Sequence, residues 1–195
     1  YASSSSVYGD SKKFPLNELN KINPKNIYGL TKKINEISAK TYSLSNKIQY
    51  IGLRFFTVFG EWGRPDMFIL KLLNSSFKNR KFYLNNNGNH FRDFTYIKDV
   101  ISIILKLRKQ RIFRHEVYNI CSNNPVGLKK IISFIGKFTP KTKIILRRKQ
   151  LADIFKTHGD NRKILNKIKG FKFTQLNISV LNTIKWYKKY QSLFD

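Results

Sequence analysis

The chain has 195 residues, of which 41% are hydrophobic, and a formal charge of +27 from 38 Lys and Arg against 11 Asp and Glu. That length and apolar content are enough for one core, or a core with a small lobe, and argue against disorder; no apolar run is long enough to span a membrane and the start lacks the order of a secretion signal, so a cytoplasmic protein is expected. The lysines are scattered among Asn, Ile, Phe and Tyr rather than clustered, so the charge reads as a solvated surface that attracts anionic substrates, with no specific nucleic-acid site and no membrane partner.

The opening YASSSSVYGD runs from a β-prone approach into small hydroxyl residues, as at the tip of a strand. Because such a tip follows Tyr1 at once, the chain is expected to begin inside a domain. Lys13 to Lys25 holds Pro15, Pro24 and several asparagines and reads as a loop that delivers Tyr28 to a helix start. From Ile27 to about Asn46, the residues Ile27, Leu30, Ile34, Ile37 and Tyr42 recur at helical spacing. A strand is expected at Ile48 to Phe56, bounded by a loop with Gly60 and Gly63. Then follow a helix at Met67 to Phe77, a short strand at Phe82 to Leu84 and a turn at Asn85 to Asn89.

Phe94 to Ile97 reads as briefly extended, ahead of a helix at Ile97 to Leu107 whose Asp99 sits where an acid caps the first turn. His115 to Ile120 alternates as a strand, and Cys121, without a CxxC or His-rich neighbourhood, reads as core. A helix at Leu128 to Phe138, a strand at Lys143 to Leu146 and helices at Asn161 to Ile168 and Ile178 to Tyr190 complete the pattern. The alternation argues for an α/β fold, with a mostly parallel sheet early and a smaller mixed lobe late. Gly52, Gly60 and Gly63 are wrongly spaced for a phosphate-binding GxGxxG turn, and none joins a strand to a helix.

Tyr28 and Lys32 lie four apart, so their side chains share one helix face. A phenol ordinarily loses its proton near pH ~10, and a neighbouring cation favours the phenolate that a general base requires. A hydroxyl from the serine cluster at a strand tip is placed to stabilise charge on the same substrate oxygen.

The stretches YASSSSVYG, YGLTK, LRFFTVFGEWGRPDM, RDFTYIKDV and YNICSNNPV, in that order, resemble the extended short-chain dehydrogenase/reductases, and most closely the UDP-glucuronate 4-epimerases. The resemblance implies the C-terminal part of a Rossmann-like doubly wound sheet plus a smaller mixed α/β substrate-binding lobe. It further implies residues 1–60 for the NAD-binding domain and its catalytic residues, and 61–195 mainly for the nucleotide-sugar lobe. The half of the family fold that bears GxxGxxG precedes the matched region.

By the same resemblance Tyr28 is the base, Lys32 its cationic partner and ribose ligand of NAD, and Ser4 the third catalytic hydroxyl. Ser5, Ser6, Thr57 and Arg64 match the positions that hold the sugar carboxylate, Arg92 the one that meets the nucleotide diphosphate, and Asp153 a position near the nucleotide. Three residues depart from the family pattern: Glu61 replaces a proline, Lys98 an acid and Ala152 a glycine. Glu61 would bring negative charge toward an anionic substrate, and Ala152 alters backbone freedom beside the nucleotide.

The implied protein is an NAD-dependent UDP-sugar 4-epimerase, expected as a homodimer paired through the helix that bears Tyr28. A dehydratase or decarboxylase of the same family would need an acid beside the active-site hydroxyl, where Ser5 and Ser6 stand. A non-catalytic basic remnant is the alternative from another class.

Overall fold

The computed structural model describes residues 1–149 and 154–194. Strand β1 (Ala2–Ser4) runs into a 3-10 turn at Ser5–Tyr8, and a long loop leads to helix α1 (Ile27–Asn46). Strands β2 (Tyr50–Phe55) and β3 (Thr57–Phe59) follow, then α2 (Phe68–Phe77), β4 (Phe82–Leu84), β5 (Phe91–Tyr96) and α3 (Ile97–Leu107). The remainder is β6 (His115–Ile120), β7 (Pro125–Gly127), α4 (Leu128–Gly136), β8 (Ile144–Leu146), α5 (Arg162–Lys167) and α6 (Leu176–Tyr190).

The first sheet is parallel, in the order β1-β2-β6, with Leu53 of β2 opposite Ala2 on one side and Tyr118 on the other. Along β2 and β6 the side chains alternate. Leu53, Tyr118 and Ile120 pack with Val100, Ile103 and Leu107 of α3 and Ile164 of α5. Ser3, Arg54 and Asn119 occupy the alternate positions and are buried as well.

A second sheet has the order β3-β5-β7, the first pair parallel and the second antiparallel, while β4 and β8 form a third, parallel pair. The largest apolar cluster joins Phe59, Phe94 and Tyr96 to Leu70 and Leu73 of α2, Ile131 and Ile135 of α4, and Val180, Ile184 and Tyr187 of α6. The sheet architecture is the parallel α/β arrangement expected of a Rossmann-type fold, with helices over the strands.

Four details that bear on the site differ from the sequence expectation or go beyond it. Strand β5 begins at Phe91 rather than Phe94, because Asp93 is buried inside it. Its carboxylate accepts from the Ser122 backbone N–H at 2.9 Å, the Ser122 hydroxyl at 2.8 Å and the Gly159 N–H at 3.1 Å. Strand β7, a three-residue antiparallel partner led by a proline, has no sequence expectation at all. Asp99 is in the first turn of α3, but its carboxylate accepts from the Thr174 N–H at 2.9 Å and hydroxyl at 2.7 Å, tying α3 to the approach to α6 rather than capping its own helix.

The fourth detail concerns α1. Its buried residues are Gly29, Glu36, Ala39 and Ser43, whereas Ile27, Leu30, Ile34, Ile37 and Leu44 are exposed. The apolar residues whose spacing announces this helix lie on its outside. Small and polar residues, with the paired Glu36, take the buried face, and at Gly29 the Ser6 carbonyl comes too close for any side chain.

Candidate active site

The serine turn is built by its own hydroxyls. Ser4, extended and buried, caps the 3-10 turn: its Oγ accepts from the Ser6 N–H and donates to the Ser6 hydroxyl, both at 3.2 Å. Ser5 and Ser6 are half-buried.

Helix α1 starts against this turn. Asn26 caps it, its side chain accepting from the Gly29 N–H at 2.7 Å. A Cβ on Gly29 would stand 2.6 Å from the Ser6 carbonyl oxygen and 3.0 Å from Pro24 Cβ, so only glycine lets the helix begin here. That close approach sets Tyr28 beside the serines. Tyr28 is 55% exposed. Lys32 Nζ stands 5.6 Å from the centre of the Tyr28 ring and donates to the Ala2 carbonyl at 3.1 Å, so one ammonium bridges the helix and β1.

Beneath the pair lies a buried polar network that the sequence analysis missed. Glu36, one turn beyond Lys32, accepts from the Ser3 hydroxyl at 2.5 Å and from Arg54 Nε and Nη2 at 2.8 and 2.7 Å. Arg54 Nη1 donates to the Tyr8 hydroxyl at 2.9 Å, and Tyr8 donates to Asn119 at 2.7 Å. Burial by itself would lower the Arg54 pKa and is the largest single influence, but the hydrogen bonds and charge interactions with Glu36 and Tyr8 together outweigh it and raise the guanidinium further. Burial likewise pushes the Tyr8 phenol up to about 12, against the lowering influence of Arg54. Both groups therefore hold one protonation state at physiological pH. The network fixes β1, the serine turn and α1 to β2 and β6. Its only trace in the sequence is Arg54 inside the apolar run IGLRFF.

Thr57 and Arg64 come together, lining a narrow cavity of about 30 Å³ with Gly63, Met67 and Phe94. The Arg64 side chain is 76% exposed and forms a forked pair with Asp66, Nε to Oδ1 at 3.0 Å and Nη2 to Oδ2 at 2.6 Å. Asp66 hydrogen bonding raises the Arg64 pKa, with the smallest contribution in the same direction from Tyr28. Arg92 is on β5, and its Nη1 donates to the Phe91 and Phe155 carbonyls at 2.9 and 3.2 Å. Asp153 and Ala152 lie outside the described residues. Glu61 does not offer free negative charge to the site: it is paired with Lys98, 2.9 Å away.

Residues 1–121 match the model of the NAD dependent epimerase/dehydratase family. The chain belongs to that family. An uncharacterised protein of Methanocaldococcus jannaschii is 40% identical over 174 residues, covering 88% of this chain and 53% of its own length. UDP-glucuronate 4-epimerase 4 of Arabidopsis thaliana is 30% identical over 98% of this chain and 48% of its own length. The crystal structure of UDP-glucuronic acid 4-epimerase from Bacillus cereus, in complex with UDP-glucuronic acid and NAD, superposes with a TM-score of 0.89 at 26% identity, covering 96% of this chain and 60% of that one. This family member thus spans about half the length of the curated relatives it matches. Among the described residues no helix is long and apolar enough to cross a membrane, and no cluster of His, Cys, Asp and Glu is arranged to hold a metal ion.

Proposed function

We propose that this chain is the catalytic and sugar-binding part of an NAD-dependent UDP-sugar 4-epimerase that interconverts UDP-glucuronate and UDP-galacturonate. The observation that carries the reading is the exposed Tyr28–Lys32 pair on a helix that starts against the serine turn, together with the two-pronged Arg64 fork that lines one cavity with Thr57. Arg64 already holds a carboxylate, that of Asp66, in two-pronged geometry. A uronate carboxylate fits the same fork.

The exposed phenol and ammonium on one face of α1 suit the ribose of a dinucleotide. NAD held there would supply reversible hydride acceptance at the sugar C4. In the forward direction Tyr28, as phenolate, accepts the proton of the C4 hydroxyl while the C4 hydride leaves, so C4 becomes a ketone. The Ser4 hydroxyl donates to the same oxygen and stabilises its developing charge. Lys32 keeps a cation beside the phenol throughout. Arg64 and Thr57, with Ser5 and Ser6, hold the carboxylate while the sugar turns, Arg92 and Asp153 serve the nucleotide, and Tyr28 gives the proton back when hydride returns.

The test uses the protein with a dinucleotide-binding segment supplied ahead of residue 1. Tyr28→Phe abolishes turnover of both UDP-glucuronate and UDP-glucose. Arg64→Ala lowers kcat/KM for UDP-glucuronate by about one to two decades, and that for UDP-glucose far less, because only the uronate offers charge-assisted hydrogen bonds to the guanidinium. Equal losses on the two sugars for Arg64→Ala would remove the uronate reading.

We further propose a homodimer through the outer face of α1. Ile27, Leu30, Ile34, Ile37 and Leu44 follow one another at steps of three, four, three and seven along the 20-residue helix and are all exposed, as at a helix seam. Light scattering should show a dimer that Ile34→Lys converts to monomer; a monomeric parent protein at micromolar concentration would reject the pairing.

A further inference from the structure

The loop that carries Arg64 is fastened at both of its preceding residues. Glu61 Oε1 accepts from the Tyr96 hydroxyl at 2.7 Å and from Lys98 Nζ at 2.9 Å, across the start of α3. The Glu61 side chain is 11% exposed and that of Lys98 62%. Burial alone would raise the Glu61 pKa, but its own backbone N–H, Lys98 and Tyr96 together hold it below the usual carboxylate range. Trp62 follows with φ of 59°, and its ring meets those of Trp186 and Tyr190 of α6, both at 5.2 Å. Gly60, at φ 137°, lies so close to Ile97 Cγ2 that no side chain fits there.

Glu61 and Lys98 are two of the three residues that depart from the family resemblance. Their contact gives the departures one explanation. Where a proline ring would restrict the backbone covalently, an acid at 61 restricts it through an ion pair, and the base that pair needs stands at 98 in place of an acid. The exchange also keeps the charge of Glu61 from acting on an anionic substrate. Trp62, with its left-handed backbone, needs such anchoring, because this conformation is unfavourable for a bulky residue and must be imposed by contacts on either side. Two residues further on is Arg64, whose only hydrogen-bonded partner in this loop is exposed Asp66.

We propose that Glu61 and Lys98 form a clasp that positions Arg64 and thereby sets the preference for a uronate over a neutral sugar. The proposal rests on the uronate reading of Arg64 given above, with Glu61 and Lys98 as positioning residues that do not touch substrate.

The test compares Glu61→Gln, Lys98→Met and the exchanged pair Glu61→Lys with Lys98→Glu, in the protein completed by its dinucleotide-binding segment. Two readouts are taken: amide hydrogen exchange across residues 60–66, and kcat and KM for UDP-glucuronate and UDP-glucose. Each single variant should speed exchange in the loop and lower the uronate preference about three- to fivefold through KM, the size expected from losing one partly exposed ion pair, with kcat for UDP-glucose unchanged. The exchanged pair should recover most of both effects, because the Tyr96 hydroxyl is able to accept from a lysine as readily as it donates to a carboxylate. A loosened loop with an unchanged sugar preference would overturn the positioning role. So would an exchanged pair no better than the poorer single variant. Arg64→Ala in parallel separates the two claims: if it leaves the preference unchanged, the uronate reading fails, and the ion pair is judged on exchange and its rescue alone.

Discussion

The two parts of the site are held in opposite ways. The serine turn and the Tyr28–Lys32 helix rest on Glu36 and Arg54, whose side chains are 7% and 4% exposed and whose hydrogen bonds reach Ser3, Tyr8 and, through Tyr8, Asn119. The Arg64 fork lies in solvent, paired with exposed Asp66 among the contacts described above, while its loop is held by the mostly buried Glu61 carboxylate with exposed Lys98 and by exposed Trp62 against buried Trp186. The difference suits the two tasks proposed above. A proton acceptor and its hydroxyl partner need fixed separation, which a buried network with one arrangement provides. A carboxylate fork must release one partner to take another, which solvent-screened contacts permit.

The largest expected effect lies in the buried half. Arg54→Ala leaves Glu36 charged and buried with only the Ser3 hydroxyl, and should cost about 3 to 5 kcal/mol of stability, read as a shift in the urea midpoint. A loss of less than about 1 kcal/mol, the size of an exposed pair, would show that the network is hydrated and that the contrast fails.

The smallest effect lies at the surface. Asp66→Ala should leave the urea midpoint unchanged and lower KM for UDP-glucuronate about two- to fivefold, since it removes an internal carboxylate that competes for the fork. A higher KM would mean instead that Asp66 aligns the guanidinium for the substrate. Either outcome sharpens the distinction between a residue that is fixed and one that is exchanged.

The Tyr28–Lys32 part of the proposed site was legible in the chain because it is local. Four residues separate Tyr28 from Lys32, and helical periodicity suffices to put them on one face. The same periodicity was silent about which face of α1 is buried. The apolar stripe from Ile27 to Leu44 looks outward, and the small residues at 29, 39 and 43 look inward. The Ser6 carbonyl beside Gly29 and the Ser3 and Arg54 bonds of Glu36 fix that orientation, and both are tertiary contacts. Strand β7 was illegible for another reason: three residues led by a proline carry no period, and their pairing is supplied by β5.

The sequence by itself determined the alternation of strands and helices, the absence of a glycine-rich phosphate turn, and the order of motifs that marks the family, since each is written in residues close together along the chain. Tertiary structure alone decided what the isolated charges do. Ser3, Glu36, Arg54 and Asn119 form one buried network although its ends are 116 positions apart, and Glu61 and Lys98, separate irregularities in the motif order, become one ion pair only when the loop after β3 folds over the start of α3. A charge is interpretable only with its partner and its solvent exposure, and both are properties of the fold.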